Sequence, residues 1–314
     1  MREYGYCKSF VNRDPGRDPW ARAGSAAVKR DRPAPKPRRG KRTGPAQQAA
    51  RPAARSAAKQ APRPAARREP KPAKGLWLYG RHAVAAALAN PRRSCHRLLA
   101  TTEGLASLGA AARRPGLEVA TVEREELDRR LGMGAVHQGL ALSAAPLPRL
   151  DLRRACAPEA GRNLVLLLDQ ITDPHNIGAI LRSAAAFEVR AVVLPARRSA
   201  ELGGTVAKAA SGALDLIPVV EVTNLAQALD ELAALGYWRV ALDGAAEATI
   251  DQVPDAPNLA LVLGAEGSGV RRLVREKCDL LARLPIAPAM ESLNVSVACG
   301  IALYALERRQ AGGS

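Results

Sequence analysis

The sequence predicts an α/β fold built on an open parallel sheet, and three observations carry that prediction. From Asn163 onward short apolar runs recur: "NLVLLLD", "RAVVLP", "LIPVVEV", "WRVALDG", "LALVLG" and "LLARLPI". Helical segments separate most of them, namely "NIGAILRSAAAFE", "NLAQALDELAALG" and "GVRRLVREKC". The first run is apolar at every step down to Asp169 instead of alternating, which suits a strand covered on both faces. Strand–helix alternation of this kind means a parallel sheet, with any ligand outside the carboxyl ends of its strands.

Order is expected to begin near Leu76. "LWLY" reads as a short strand or lead-in, "GRHAVAAALAN" as a helix stopped at Asn90-Pro91, and Arg97–Ala100 as a strand. "SLGAAARR" predicts a second helical piece, "LEVATV" a second strand and "REELDRRLG" a third helix. Gly132 to Gly139 is a loop and "GLALSAAP" a third strand. This smaller α/β unit spans residues 75–146. The stretch 147–161, with Pro148 and Pro158, reads as a linker holding at most one short helix, and the larger unit fills 162–314. In its last segment, "ESLNVSVACGIALY", Val297, Ile301 and Tyr304 recur at helical spacing, which predicts a buried helix.

Residues 1–74 are a different material. They hold 21 of the 47 Lys and Arg but only 5 of the 30 Asp and Glu, so nearly all of the net charge of +17 lies there. Pro, Ala, Lys and Arg with few large apolar residues cannot bury a core, which predicts a disordered tail. A polycation of this kind meets phosphate polymers by counterion release; the plainer alternative is a solubilising extension. The absence of a long apolar run argues against a membrane span, and an N-terminus without a continuous apolar segment argues against a secretory signal. Five scattered cysteines without a C-x-x-C pair fit free thiols in a cytoplasmic protein and no metal site.

Three strand ends carry polar chemistry. After "LVLLLDQ" comes "ITDPHNIGAILRSAAAF", where Asn176 can cap a helix and Arg182 sits among apolar neighbours, a setting that calls for an anionic partner. After "LALVLG" comes "AEGSGV", whose glycines permit a tight loop; Glu266 is either a loop-stabilising acceptor or a partner for Arg182. It is neither a dinucleotide fingerprint nor a P-loop. In the last segment one cap accounts for Ser292 or Asn294, but not for both together with Glu291.

"DPHNIGAILRSAAAFEV", "LVLGAEGSGV" and "ESLNVSVACGIALY" resemble, in order and spacing, the three motifs of the SPOUT methyltransferases in their TrmH branch. "LYGRHAVAAAL" and "VHQGLAL" resemble the small L30e-like substrate-binding domain of those branch members that methylate a guanosine ribose in large-subunit ribosomal RNA. The resemblance implies a C-terminal trefoil knot, S-adenosyl-L-methionine as methyl donor, a homodimer with the site near its interface, and RNA as partner, either 23S ribosomal RNA or a precursor particle. Transfer RNA is the alternative substrate, and a non-catalytic RNA-binding role the alternative class. Carried over by position, the cofactor lies against backbone at Gly264, Leu284 and Leu293. The catalytic set falls on Asn176, Arg182, Glu266, Ser292 and Asn294. Where such enzymes read "IPM-x-G", this chain has Ile286 and Pro288 in place of the methionine and glycine. Arg182 is expected to bind an RNA phosphate and polarise the hydroxyl, with proton acceptance as the alternative, because a guanidinium stays protonated. Glu266 is expected to fix Arg182.

Overall fold

The computed structural model describes residues 76–197 and 199–311, the last three as backbone alone. The tail expected to be disordered, 1–74, lies outside the described residues. The chain first lays down β1 (Leu76–Tyr79), α1 (Arg81–Ala89), β2 (Cys95–Ala100), α2 (Thr102–Leu108), β3 (Glu118–Thr121), α3 (Arg124–Leu131) and β4 (Leu140–Ala144). These strands form a four-stranded sheet in the order β1-β4-β2-β3. β4 runs antiparallel to β1 and β2, while β2 and β3 are parallel. Helix α2 begins earlier than the sequence suggested, because the Thr101 side chain caps it by accepting from the Gly104 N–H. Gly109, at φ 55°, ends it, and "SLGAAARR" continues only as a 3-10 turn, Gly109–Arg113.

A short helix α4 (Leu152–Ala155), capped by Asp151, leads to the larger sheet. Then follow β5 (Asn163–Asp169), α5 (Pro174–Ala186), β6 (Ala191–Pro195), α6 (Gly204–Ala209), β7 (Val219–Val222), α7 (Leu225–Ala234) and β8 (Trp238–Leu242). The chain closes with β9 (Ala248–Thr249), β10 (Asn258–Gly264), α8 (Arg272–Arg275), β11 (Leu280–Arg283) and α9 (Val295–Ala311). The seven strands lie in the order β7-β6-β5-β10-β8-β11-β9, every pairing parallel. All of β5 is buried, and its alternate residues enter two cores. Leu164, Leu166 and Leu168 meet α5 and α9. Val165 and Leu167 meet the α4, α7 and α8 side. Two-sided burial is the physical reason that the run shows no alternation.

Further elements depart from the sequence prediction. Helix α6 and strand β9 carried no clear signal, and the helix expected over "GVRRLVREKC" is regular only across Arg272–Arg275. The last helix forms, but its buried face is the opposite one. Val295, Cys299, Ala302, Leu303 and Leu306 are buried, whereas Val297, Ile301 and Tyr304 are 51%, 44% and 55% exposed. Both sets repeat at helical spacing, so periodicity alone could not choose between them.

The two sheets share one core. Leu78, Val84 and Leu142 belong to the same apolar cluster as Ile177, Val206 and Leu214. Helix α6 lies hard against β1: a methyl group on Gly204 would stand 2.3 Å from the Trp77 carbonyl oxygen. Helices α5 and α6 touch just as closely, since a methyl group on Gly178 would stand 2.3 Å from Ala209 Cβ. Below this contact Arg93 and Asp215, each with its side chain 1% exposed, form a two-pronged ion pair. Arg93 Nε and Nη2 donate to Asp215 at 2.8 and 2.9 Å, and Asn90 Nδ2 adds a third bond at 3.0 Å.

Candidate active site

The motif residues gather at the carboxyl ends of β5 and β10 and at the entrance to α9. The loop after β10 is shaped first. Gly264 cannot carry a side chain, because a Cβ there would sit 2.2 Å from the Gly269 carbonyl carbon. The Gly269 N–H donates to the Ala265 carbonyl at 2.8 Å, and Gly267 and Gly269 take positive φ, 81° and 64°. Asp169, fully buried at the end of β5, pins the far side of this loop. It accepts from the Arg271 backbone N–H at 2.9 Å and from Arg271 Nε at 2.8 Å. Asp169 and Arg271 build the site without belonging to any of the three motifs. Their one signal was a carboxylate closing an otherwise apolar run.

The loop presents Glu266 to the two other motifs. Glu266 Oε1 accepts from Asn176 Nδ2 at 2.9 Å and from Asn294 Nδ2 at 2.8 Å, while Asn294 Nδ2 also donates to Asn176 Oδ1 at 2.9 Å. The Val295 N–H, at 3.4 Å, points to the same carboxylate oxygen. The first turn of α9 therefore faces a negative charge, the favourable sense for a helix dipole. Asn294 is at once the cap of α9, its Oδ1 accepting from the Ser296 N–H at 2.9 Å. Asn176, by contrast, is not the cap of α5. Asp173 fills that role by accepting from the His175 N–H at 2.9 Å, with Pro174 opening the helix.

Arg182 does not join this triangle. It is exposed on α5, and among the described residues its guanidinium makes no hydrogen bond or ion pair. Glu266 is taken up by two amides, so the expected Glu266–Arg182 pairing is absent. Six positions further along the helix, Arg182 stands about 9 Å beyond Asn176 on the axis.

Beside the triangle lies a cavity of about 450 Å³. Gly264, Leu284 and Leu293 all line it, as do Glu266 and Ser292. Apolar walls from Leu242, Leu263, Ile286 and Val295 alternate with backbone edges of three loops, a combination suited to a nucleoside-sized ligand. Ile286 thus lines the cavity at a position where the resembled motif has methionine. Among the described residues, no group of three or more His, Cys, Asp or Glu is placed to hold a metal.

An α/β fold with a cavity at the carboxyl ends of its strands defines the class of the site, and the comparisons with known proteins make it that of a methyltransferase. Residues 163–304 match the SpoU rRNA Methylase family, and residues 77–150 match a unit described as RNA 2′-O ribose methyltransferase substrate binding. The chain is 43% identical over 243 residues to the 23S rRNA (guanosine-2′-O-)-methyltransferase RlmB of Xanthomonas campestris, covering 75% of this chain and 97% of that one. The enzyme of the same name from Pseudomonas aeruginosa is 42% identical, with 74% and 96% covered. This chain belongs to the SpoU rRNA methylase family. Among solved structures, a TrmH-family protein from Porphyromonas gingivalis aligns with TM-score 0.63 and 25% identity, over 75% of this chain and 90% of that one. The fold is also that of the SpoU methyltransferase AviRb from Streptomyces viridochromogenes in complex with AdoMet, TM-score 0.65 at 22% identity, over the same shares of the two chains.

Proposed function

We propose that this chain transfers a methyl group from S-adenosylmethionine to the ribose 2′-hydroxyl of a guanosine in 23S ribosomal RNA. The observation that carries the proposal is the Asn176–Glu266–Asn294 triangle at the mouth of the 450 Å³ cavity. The residues fit the donor: the cavity has nucleoside dimensions and apolar walls, and the backbone at Gly264, Leu284 and Leu293 is placed to hold an adenosine. When bound, S-adenosylmethionine supplies a methyl carbon already activated by its sulfonium. The protein's own task is alignment and proton removal, which contribute the bulk of the acceleration when no metal is used. Asn176, Ser292 and Asn294 orient the ribose, and Glu266 fixes the two amides. Arg182 would bind the neighbouring phosphate and polarise the 2′-hydroxyl, whose proton would pass to solvent water as the methyl group is transferred.

The finer readings belong to the same proposal. The return of α9 onto α5 after β11, past the loop that follows β10, supports a trefoil knot. The four-stranded sheet with α1–α3 supports an L30e-like RNA-binding unit over 75–146. The exposed stripe Val297, Ile301 and Tyr304 on α9, together with Arg182 exposed on α5, supports a homodimer in which a second copy completes the site. A ribosomal RNA substrate supports a cytoplasmic location. Among the described residues no helix is long and apolar enough to cross a membrane.

Mapping of 2′-O-methyl groups in a strain lacking the protein is expected to show one 23S guanosine losing its mark; an unchanged ribosomal RNA with a lost transfer RNA mark would overturn the substrate. Arg182→Ala is expected to lower methyl transfer at least ~10²-fold while cofactor affinity stays within a few fold. Lost cofactor binding would refute the role given to Arg182.

A further inference from the structure

We infer that the cleft between the two sheets receives a nucleobase of single-stranded RNA flanking the methylated nucleotide, stacked on the Arg130–Trp77 pair. The inference rests on the function proposed above and names where the substrate is held. The cleft measures about 1090 Å³ and is lined by Trp77 and Tyr79 of β1, Arg129 and Arg130 of α3, Thr205 of α6 and Pro174 of α5. The Arg130 guanidinium carbon lies 5.2 Å from the centre of the Trp77 ring, a cation–π distance. Arg130 is held there by a bond from Nη2 to Glu126 Oε1 at 3.2 Å, yet its side chain stays 33% exposed. The guanidinium lies over the indole, and both side chains line the cleft. RNA-binding proteins stack unpaired bases on aromatic rings and arginine planes in this way.

Charge decides between a base and a phosphate as the occupant. Glu126 and Glu201 also line the cleft, and Glu126 is shared by Arg129 at 2.7 Å and Arg130 at 3.2 Å. The arginine charges are therefore largely answered within the protein, which leaves a flat surface and not a phosphate clamp. The cleft is connected to the chemistry at one end, since Pro174 stands two residues before Asn176 on α5. At the other end Leu76 lines it. With its arginines paired to a carboxylate, the cleft reads a base.

The test uses the full chain with Trp20→Phe and Trp238→Phe, leaving Trp77 as the one tryptophan of the original 3. A short unstructured RNA oligonucleotide of mixed sequence is titrated in while Trp77 fluorescence and binding anisotropy are followed. Quenching is expected, and Arg130→Ala is expected to weaken binding roughly tenfold, as loss of one stacked base does. Arg130→Lys, which keeps the charge without the plane, is expected to lose nearly as much. Absence of quenching, or wild-type binding by Arg130→Lys, overturns the stacking contact. Methyl transfer is scored separately with unlabelled RNA, so failure of the enzymatic reading and failure of this contact are told apart.

Discussion

Asn294 joins two functions that pull a side chain in opposite directions. Its carbonyl oxygen caps α9, and its amide nitrogen reaches back to Glu266 and Asn176. Asn294→Ala loses both, and is expected to cost about 1–2 kcal/mol in chemical denaturation. Asn294→Asp keeps the capping oxygen but sets a carboxylate where the amide stood 2.8 Å from Glu266. It is expected to fold with less damage than the alanine variant while single-turnover methyl transfer falls by about 10²-fold or more. A variant that kept its activity would show the triangle to be a structural device alone. At the same scale, burial pushes the thiols of Cys156, Cys278 and Cys299 up to about 12. They remain protonated at pH 8, and iodoacetamide is expected to leave all three unlabelled in native protein, as read by peptide mass spectrometry.

Elements carry the loop geometry. Gly264→Ala is expected to prevent closure of the loop after β10 and to remove cofactor binding measured by calorimetry, because no rotamer choice relieves a Cβ against backbone at 2.2 Å. Between β8 and β11, Asp279 accepts from the Arg239 N–H at 2.8 Å and from its Nε at 2.9 Å. The guanidinium bond holds the Asp279 carboxyl below its ordinary range. A depressed carboxylate stabilises the fold above its unfolded pKa, about 3.9, and that contribution is lost as pH falls through the folded value. Asp279→Asn is therefore expected to flatten the acid limb of a stability–pH curve and leave its neutral region lower and level. Much of the element pattern was legible in the sequence, because a two-sided parallel strand such as β5 leaves an unbroken apolar run. Helix α6 was not: it is a single turn and a half between glycines, stabilised by tertiary contact with β1 and α5. The outward face of α9 was misread because its two faces are both apolar, and only packing against α5 distinguishes them. The three motif loops were legible as a set. The partner of Glu266 was not, because Arg182 and the two asparagines compete for one carboxylate and only distance decides.

The whole molecule is held by contacts that join its two sheets. Asp215→Ala leaves Arg93 charged and buried without its partner, a change that typically costs about 3–5 kcal/mol. The double variant Arg93→Met/Asp215→Leu is expected to regain most of the lost thermal stability; a double variant as weak as the single one would mean that the pair's hydrogen bonds, not its charge, hold the sheets. Charge is distributed just as unevenly. Deleting residues 1–74, which carry 21 Lys and Arg, is expected to flatten the salt dependence of RNA binding and leave cofactor affinity unchanged. The meeting of α5 and α6 at Gly178 has a mechanical meaning. Two rods that meet with only one methyl group, that of Ala209, between them have little play. A load that tilts the rod roofing the cleft is delivered undamped to the rod bearing Asn176 and Arg182, so a substrate seated wrongly at the far end would spoil the alignment of the reacting atoms.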